Sequence, residues 1–214
     1  MFGTQHLLVF ILAGISLNLV PGQDTLYIIG RSVAQGRTAG VVSVLGIGTG
    51  CLFHILAASL GLYAVLALWP LAFTAICLAG GVYLVYLGIM AVYKKGSILK
   101  PVQPGSGRDG LWLVYRQGLL TNLLNPKVVL FFIAFLPQFV DPVANYGAFS
   151  FLLLGFLFFS TGTIWCMIVA LFASGIADAL RTNPKIQRLF EYFSCILFAG
   201  LGAHVLVSAL WPGL

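Results

Sequence analysis

The sequence predicts an all-α integral membrane fold: six transmembrane helices arranged as a 3+3 inverted repeat, with the first and fourth helices broken. Three observations carry this. The 214-residue chain is 60% hydrophobic and only 7% charged, with a mean hydropathy of +1.05, whereas soluble domains carry roughly 25% charged residues. Its apolar runs are about 20 residues long, as helices crossing a bilayer require, and none alternates in the ten-residue segments of an outer-membrane barrel. Two of the runs are interrupted near their middles, at Asn18-Leu19-Val20-Pro21-Gly22-Gln23-Asp24 and at Asn122-Leu123-Leu124-Asn125-Pro126-Lys127.

The spans are expected at approximately 6–30, 41–68, 70–93, 113–137, 147–176 and 189–211. The first has no basic leader, and its apolar character continues past Pro21-Gly22 to Ile29, so it reads as a retained span rather than a cleaved signal. The second is dense in glycine, and Gly46 and Gly50 have the small-xxx-small spacing that lets helices approach closely. The Gly46-Ile47-Gly48-Thr49-Gly50 run follows no strand and lacks nucleotide-loop spacing. Trp69-Pro70 divides the second span from the third; Pro137 and Asp141-Pro142 divide the fourth from the fifth. Trp69, Trp112 and Trp211 fall at expected membrane interfaces. The chain thus divides into a first three-helix repeat (1–93), a cytoplasmic linker (94–112) and a second repeat (113–214). Cys51, Cys77, Cys166 and Cys195 are scattered singly, which indicates neither a disulfide framework nor a zinc site. No metal and no cofactor is expected.

Basic residues cluster after the first span (Arg31, Arg37), the third (Lys94, Lys95, Lys100, Arg108) and the fifth (Arg181, Lys185, Arg188). Basic connections stay cytoplasmic, so both termini are expected outside. Topology accounts for the net charge of +6, and nucleic-acid binding need not be invoked. On this topology the first and fourth spans run in opposite directions, as an inverted repeat requires.

The breaks are the candidate site. Pro21 removes an amide hydrogen and Gly22 permits unusual backbone angles, so carbonyls around Leu17 and Asn18 lose helical partners. Bare backbone at that depth is tolerated where it lines a cavity or is shielded by neighbours. Asn125 suits an N-cap and Pro126 the first position of the half-helix beyond it. The half-helices after Pro21 and Pro126 both begin near the midplane, where their positive N-terminal ends converge. Those ends and the Lys127 ammonium suit a carboxylate; Asp24 and the freed carbonyls suit an ammonium. A zwitterionic amino acid meets both halves, with Asn18, Asn122 and Asn125 as polar contacts. Bland readings stand beside these: Asp24 as a dipole cap or a strut to Lys127, the asparagines as caps or interhelical bonds. An ionised side chain at mid-bilayer costs about 2.5–3.5 kcal/mol or more, which makes Asp24 the leading proton carrier. His54 is the reserve carrier, or a neutral ring bonded to a nearby carbonyl; His204 is a weaker candidate.

The stretch Asn18 to Tyr27, with Arg31, Gly36, Gly40, Leu45-Gly46-Ile47-Gly48, Asn122 to Lys127 and Leu136-Pro137-Gln138-Phe139, resembles the LysE/RhtB family of amino-acid exporters. The resemblance covers nearly the whole chain. It implies export of an amino acid or close derivative from the bacterial cytoplasm across the inner membrane, driven by proton antiport. Aspartate at position 24 is similar to the homoserine/threonine/leucine branch; the lysine branch usually has asparagine. Gln23 stands where the family commonly has a second proline, which softens the break.

The expected partners are a small amino-acid substrate, protons and the lipid bilayer. Small glycine-rich bundles often dimerise, and a homodimer stays open. Two other functions compete. A divalent metal-ion exporter needs several carboxylate or imidazole ligands, yet only Asp24 and His54 are suitably placed. A membrane-embedded enzyme needs paired aspartates, a Ser/His dyad or HExxH; the last is absent and no second mid-span carboxylate appears.

Overall fold

The computed structural model describes residues 3–62, 68–93, 110–141 and 146–211. Most of the expected linker, with Lys94, Lys95, Lys100 and Arg108, lies outside these residues, as do Pro142 and 63–67 of the second span. Among the described residues the chain is helical, with a single isolated bridge between Thr4 and Val140. Four helices are long and apolar enough to cross a membrane: Arg37–Gly61, Leu71–Tyr93, Ala148–Leu171 and Pro184–Leu210. Two bent pairs, each turning through 45°, raise the number to six.

The first pair is α1 (Leu7–Leu19) and α2 (Gln23–Gln35). Next come α3 (Arg37–Ala57), which ends in a π-helical turn at Ala58–Leu62, and α4 (Pro70–Tyr93). The second pair is α5 (Leu111–Leu123) and α6 (Pro126–Leu130), which continues as a π turn (Phe131–Phe135) and a 3-10 turn (Leu136–Phe139). Helices α7 (Ala148–Leu171), α8 (Ala173–Thr182) and α9 (Pro184–Leu210) complete the order. The half-helices α1 and α5 are both 13 residues long, and Asn18 and Asn122 are the penultimate residue of each.

The helices overrun the apolar spans where polar residues form their first turns. Arg37 opens α3 because Gly36, at φ +87, makes the sharp turn that L side chains resist. Pro184 opens α9 because the Asn183 side chain accepts from the amides of Lys185 and Ile186 (3.0 and 3.4 Å). The fifth span stops at Leu171 rather than 176. Phe172 leaves helical geometry, and the more polar α8 forms a separate helix.

The two broken spans lie antiparallel along their whole length. At one end the Gln5 amide donates to Phe139 O (2.8 Å) and Asp141 N to Gly3 O (2.9 Å). At the other, the Tyr27 hydroxyl donates to Val114 O (2.7 Å), while the buried Arg31 donates to the Gln117 side chain and stacks on Tyr27. The breaks therefore meet in the middle.

Helix α3 packs against α5 and α7, and α4 against α9. The α3–α5 contact depends on missing side chains. A Cβ on Gly46 would collide with Tyr115 O, one on Gly50 would stand 2.9 Å from the Asn122 side chain, and one on Gly118 2.9 Å from Ser43 O. Gly46→Leu is therefore expected to separate these helices and reduce the yield of monodisperse protein in size-exclusion chromatography. A normal yield with unchanged melting temperature would contradict this packing role. Buried phenylalanines (Phe10, Phe131, Phe132, Phe135, Phe139, Phe158) fill the space beside the second break. Outward, Leu8, Leu12, Leu60, Leu71, Ile164 and Ile196 are more than half exposed, a surface suited to lipid.

Candidate functional site

Pro21 has no amide hydrogen to give Leu17 O, and the turn from Val20 to Gly22 draws the Asp24 amide away from Val20 O. The ammonium of Lys127 replaces both donors, with Nζ 3.3 Å from Leu17 O and 3.1 Å from Val20 O. Gly22 leaves room for it, since a Cβ there would sit 3.2 Å from Nζ. Lys127 is positioned by the second break: the Asn125 side chain caps α6 by accepting from the Lys127 amide (3.1 Å), and Pro126 occupies the first helical position. One break thus mends the other. Lys127 was expected to hold a substrate carboxylate; here two of its three N–H groups serve backbone carbonyls, and one remains.

Asp24 stands at the second position of α2, where a carboxylate complements the helix dipole. It is buried, and its Oδ2 accepts from Asn122 Nδ2 at 2.8 Å. Its Oδ1 has no partner, and neither does Asn122 Oδ1 or Asn125 Nδ2. A strut to Lys127 is not what forms: the lysine's hydrogen bonds go to carbonyls and the aspartate's to Asn122. Lys127, the Asn125 side chain and His54 are still near enough to act on Asp24, the asparagine without a well-formed hydrogen bond. The His54 Nε2–H donates to Asn122 O (3.2 Å) and its ring stacks on Phe132, so this histidine supports the residue that holds Asp24. Asn18 turns instead towards α7, donating to Thr161 Oγ1 (3.2 Å). His204 lies by Phe135 and Phe139.

A cavity opens at this junction. Asn18, Asp24, Asn122 and Lys127 line its polar side; Val44, Ile47, Cys51, Val128, Phe158 and Phe159 line its apolar side. Its volume is about 40 Å³, enough for about three waters.

Residues 15–209 match the LysE type translocator. The chain belongs to the LysE type translocator family. It is 29% identical to an uncharacterised membrane protein, YrhP, of Bacillus subtilis over 92% of this chain and 97% of the relative. It is 24% identical to a leucine efflux protein of Salmonella typhimurium over 95% and 96% of the two chains. An uncharacterised membrane protein of Vibrio cholerae is 28% identical over 91% and 93%. No solved structure matches the chain. The resemblance seen in the two break motifs therefore extends over most of this LysE-type chain, a multi-pass membrane protein.

Of the expected residues, the structure brings Asn18, Asp24, Asn122 and Lys127 to the cavity, with Pro21, Gly22, Asn125 and Pro126 shaping the breaks around them. Sequence reasoning missed the wall supplied by α7, Phe158, Phe159, Gly162, Thr163, Trp165 and Cys166, and the Thr161 hydroxyl that holds Asn18. The available signal was a tryptophan and a Thr-Gly-Thr patch in mid-span, away from the interface positions where tryptophan is ordinary.

Proposed function

We propose that this protein exports a neutral amino acid or close derivative from the bacterial cytoplasm, by proton antiport with alternating access. One observation carries the reading: a buried carboxylate, Asp24, held by Asn122 from the other broken helix, keeps one oxygen free beside a cavity between the two breaks. A bare carboxylate at mid-membrane is costly, so Asp24 exchanges one cation for another, a substrate ammonium or a proton. That alternation is antiport. The leucine efflux relatives support the substrate class. Among the described residues Asp24 is the single carboxylate on the cavity wall, so a basic side chain would have no counter-charge left once the α-ammonium is bound.

The halves 1–93 and 113–214 would rock about the paired breaks, with the basic connections on the cytoplasmic face and both termini outside. Lys127 and the amides at the half-helix ends would add positive potential near the substrate carboxylate. Among the described residues no three His, Cys, Asp or Glu side chains gather to hold a metal ion, which gives cation export no support.

The reading is tested in cells fed a leucine-containing dipeptide. Faster appearance of leucine outside expressing cells supports it; unchanged efflux for leucine and for a panel of other neutral amino acids counts against it. His54→Gln keeps a donor for Asn122 O but cannot titrate. It is expected to retain proton-driven efflux, and loss of the pH dependence in this variant would move the proton from Asp24 to His54.

A further inference from the structure

Trp165 is unlike the other tryptophans. Trp69, Trp112 and Trp211 are 67%, 69% and 60% exposed, with polar edges free to meet headgroups. Trp165 projects from the last third of α7 and lines the cavity, and its Nε1 is buried with no hydrogen-bond partner. Indole N–H is a donor only, and a buried one nearly always finds an acceptor. Such a gap in a native interior asks for an explanation, and a missing ligand is one.

Asp24 and Asn122 line the same cavity, and each keeps a buried acceptor without a partner, Oδ1 in both cases. Two acceptors and a donor on one wall set are the complement of a zwitterion. The acceptors belong to residues that are already hydrogen-bonded to each other, so they form one ammonium-binding edge. The donor comes from a different helix. A carboxylate needs donors, and the cavity wall offers the indole N–H and the remaining N–H of Lys127, with the unpartnered Asn125 Nδ2 and the half-helix amides as further donors at the breaks.

We propose that the Trp165 indole N–H binds the carboxylate of the transported amino acid, while Asp24 and Asn122 take its ammonium. The assignment rests on the amino-acid reading above, and it makes α7 the third element of the substrate site. When substrate leaves, Trp165 loses its acceptor, so binding and release act on α7 as well as on the broken helices.

The experiment compares an acid with its amide. L-leucine, L-threonine and L-homoserine, and the carboxamide of each, are titrated calorimetrically into the full-length protein and into Trp165→Phe, both in lipid nanodiscs. Removing a hydrogen bond to a charged group is expected to weaken binding of the preferred amino acid about 10- to 100-fold. Its carboxamide keeps a carbonyl acceptor but not the charge, so it should weaken by less than the acid, about 2- to 10-fold. Equal weakening of acid and amide would assign Trp165 to packing and overturn the proposal, even if the variant were less stable. Unchanged acid affinity in Trp165→Phe, with firm binding by the parent, overturns this proposal and leaves the exporter reading standing. Absence of binding by the parent for every amino acid overturns both.

Discussion

Asp24→Asn is expected to abolish proton-driven amino-acid transport while leaving the protein folded. The side chains are nearly isosteric, and the amide oxygen can still accept from Asn122 Nδ2 as Asp24 Oδ2 does at 2.8 Å. What disappears is the exchange of one cation for another. An amide needs no counter-cation, so the empty carrier can change conformation without a proton, and the substrate ammonium loses its opposite charge. The pH-driven rate should fall about 100-fold or more, the scale on which removing a proton-transferring group acts. Downhill leak of amino acid should lose its pH dependence. Full proton-coupled transport by Asp24→Asn would remove Asp24 from the mechanism.

Lys127→Met is expected to act on the fold before it acts on the substrate. The ammonium holds Leu17 O and Val20 O, two carbonyls that the first break leaves without helical donors. Methionine fills similar volume but donates nothing. Each carbonyl left bare costs about 1–3 kcal/mol, so the pair contributes about 2–6 kcal/mol, nearer the lower figure where water reaches the half-buried site. Thermal unfolding in detergent should show a clear drop for Lys127→Met and a smaller one for Lys127→Arg, which keeps donors of different shape. A variant that melts like the parent yet binds amino acid poorly would make Lys127 a substrate anchor rather than the cap of α1.

The two results together separate the carboxylate from the ammonium. In the sequence these look like a pair of opposite charges at equivalent breaks, and a direct strut was a fair reading. The structure separates them because each occupies the second position of its own half-helix, and the backbone there sets different needs. Pro21 strips donors from α1, and the Lys127 ammonium supplies them. Asn125 caps α6 with its own side chain, so Asp24 finds Asn122 instead.

Membrane spans and breaks were legible for strong physical reasons: few charges, long apolar runs, and proline with polar residues where neither belongs. The Gly46–Gly50 contact was legible from spacing alone. Helix ends were not, because Arg37 and Asn183-Pro184-Lys185 are polar and hydropathy discounts them, although the Gly36 turn and the Asn183 cap start helices there. The α7 wall was hidden for another reason. Phe158, Phe159 and Cys166 look identical to lipid-facing residues in sequence, and only packing against α1 and α3 turns them inward. The fate of Asn18 was equally hidden, since its partner Thr161 lies 143 residues away.

The most direct test of the central claim is uptake of radiolabelled neutral amino acids into inverted membrane vesicles with an acidic lumen. Protons leaving the lumen should drive amino acid in, and one pH unit per proton supports up to about tenfold accumulation. Accumulation should collapse with a protonophore and be absent in Asp24→Asn vesicles. Accumulation that ignores the protonophore, or persists in Asp24→Asn, would contradict it.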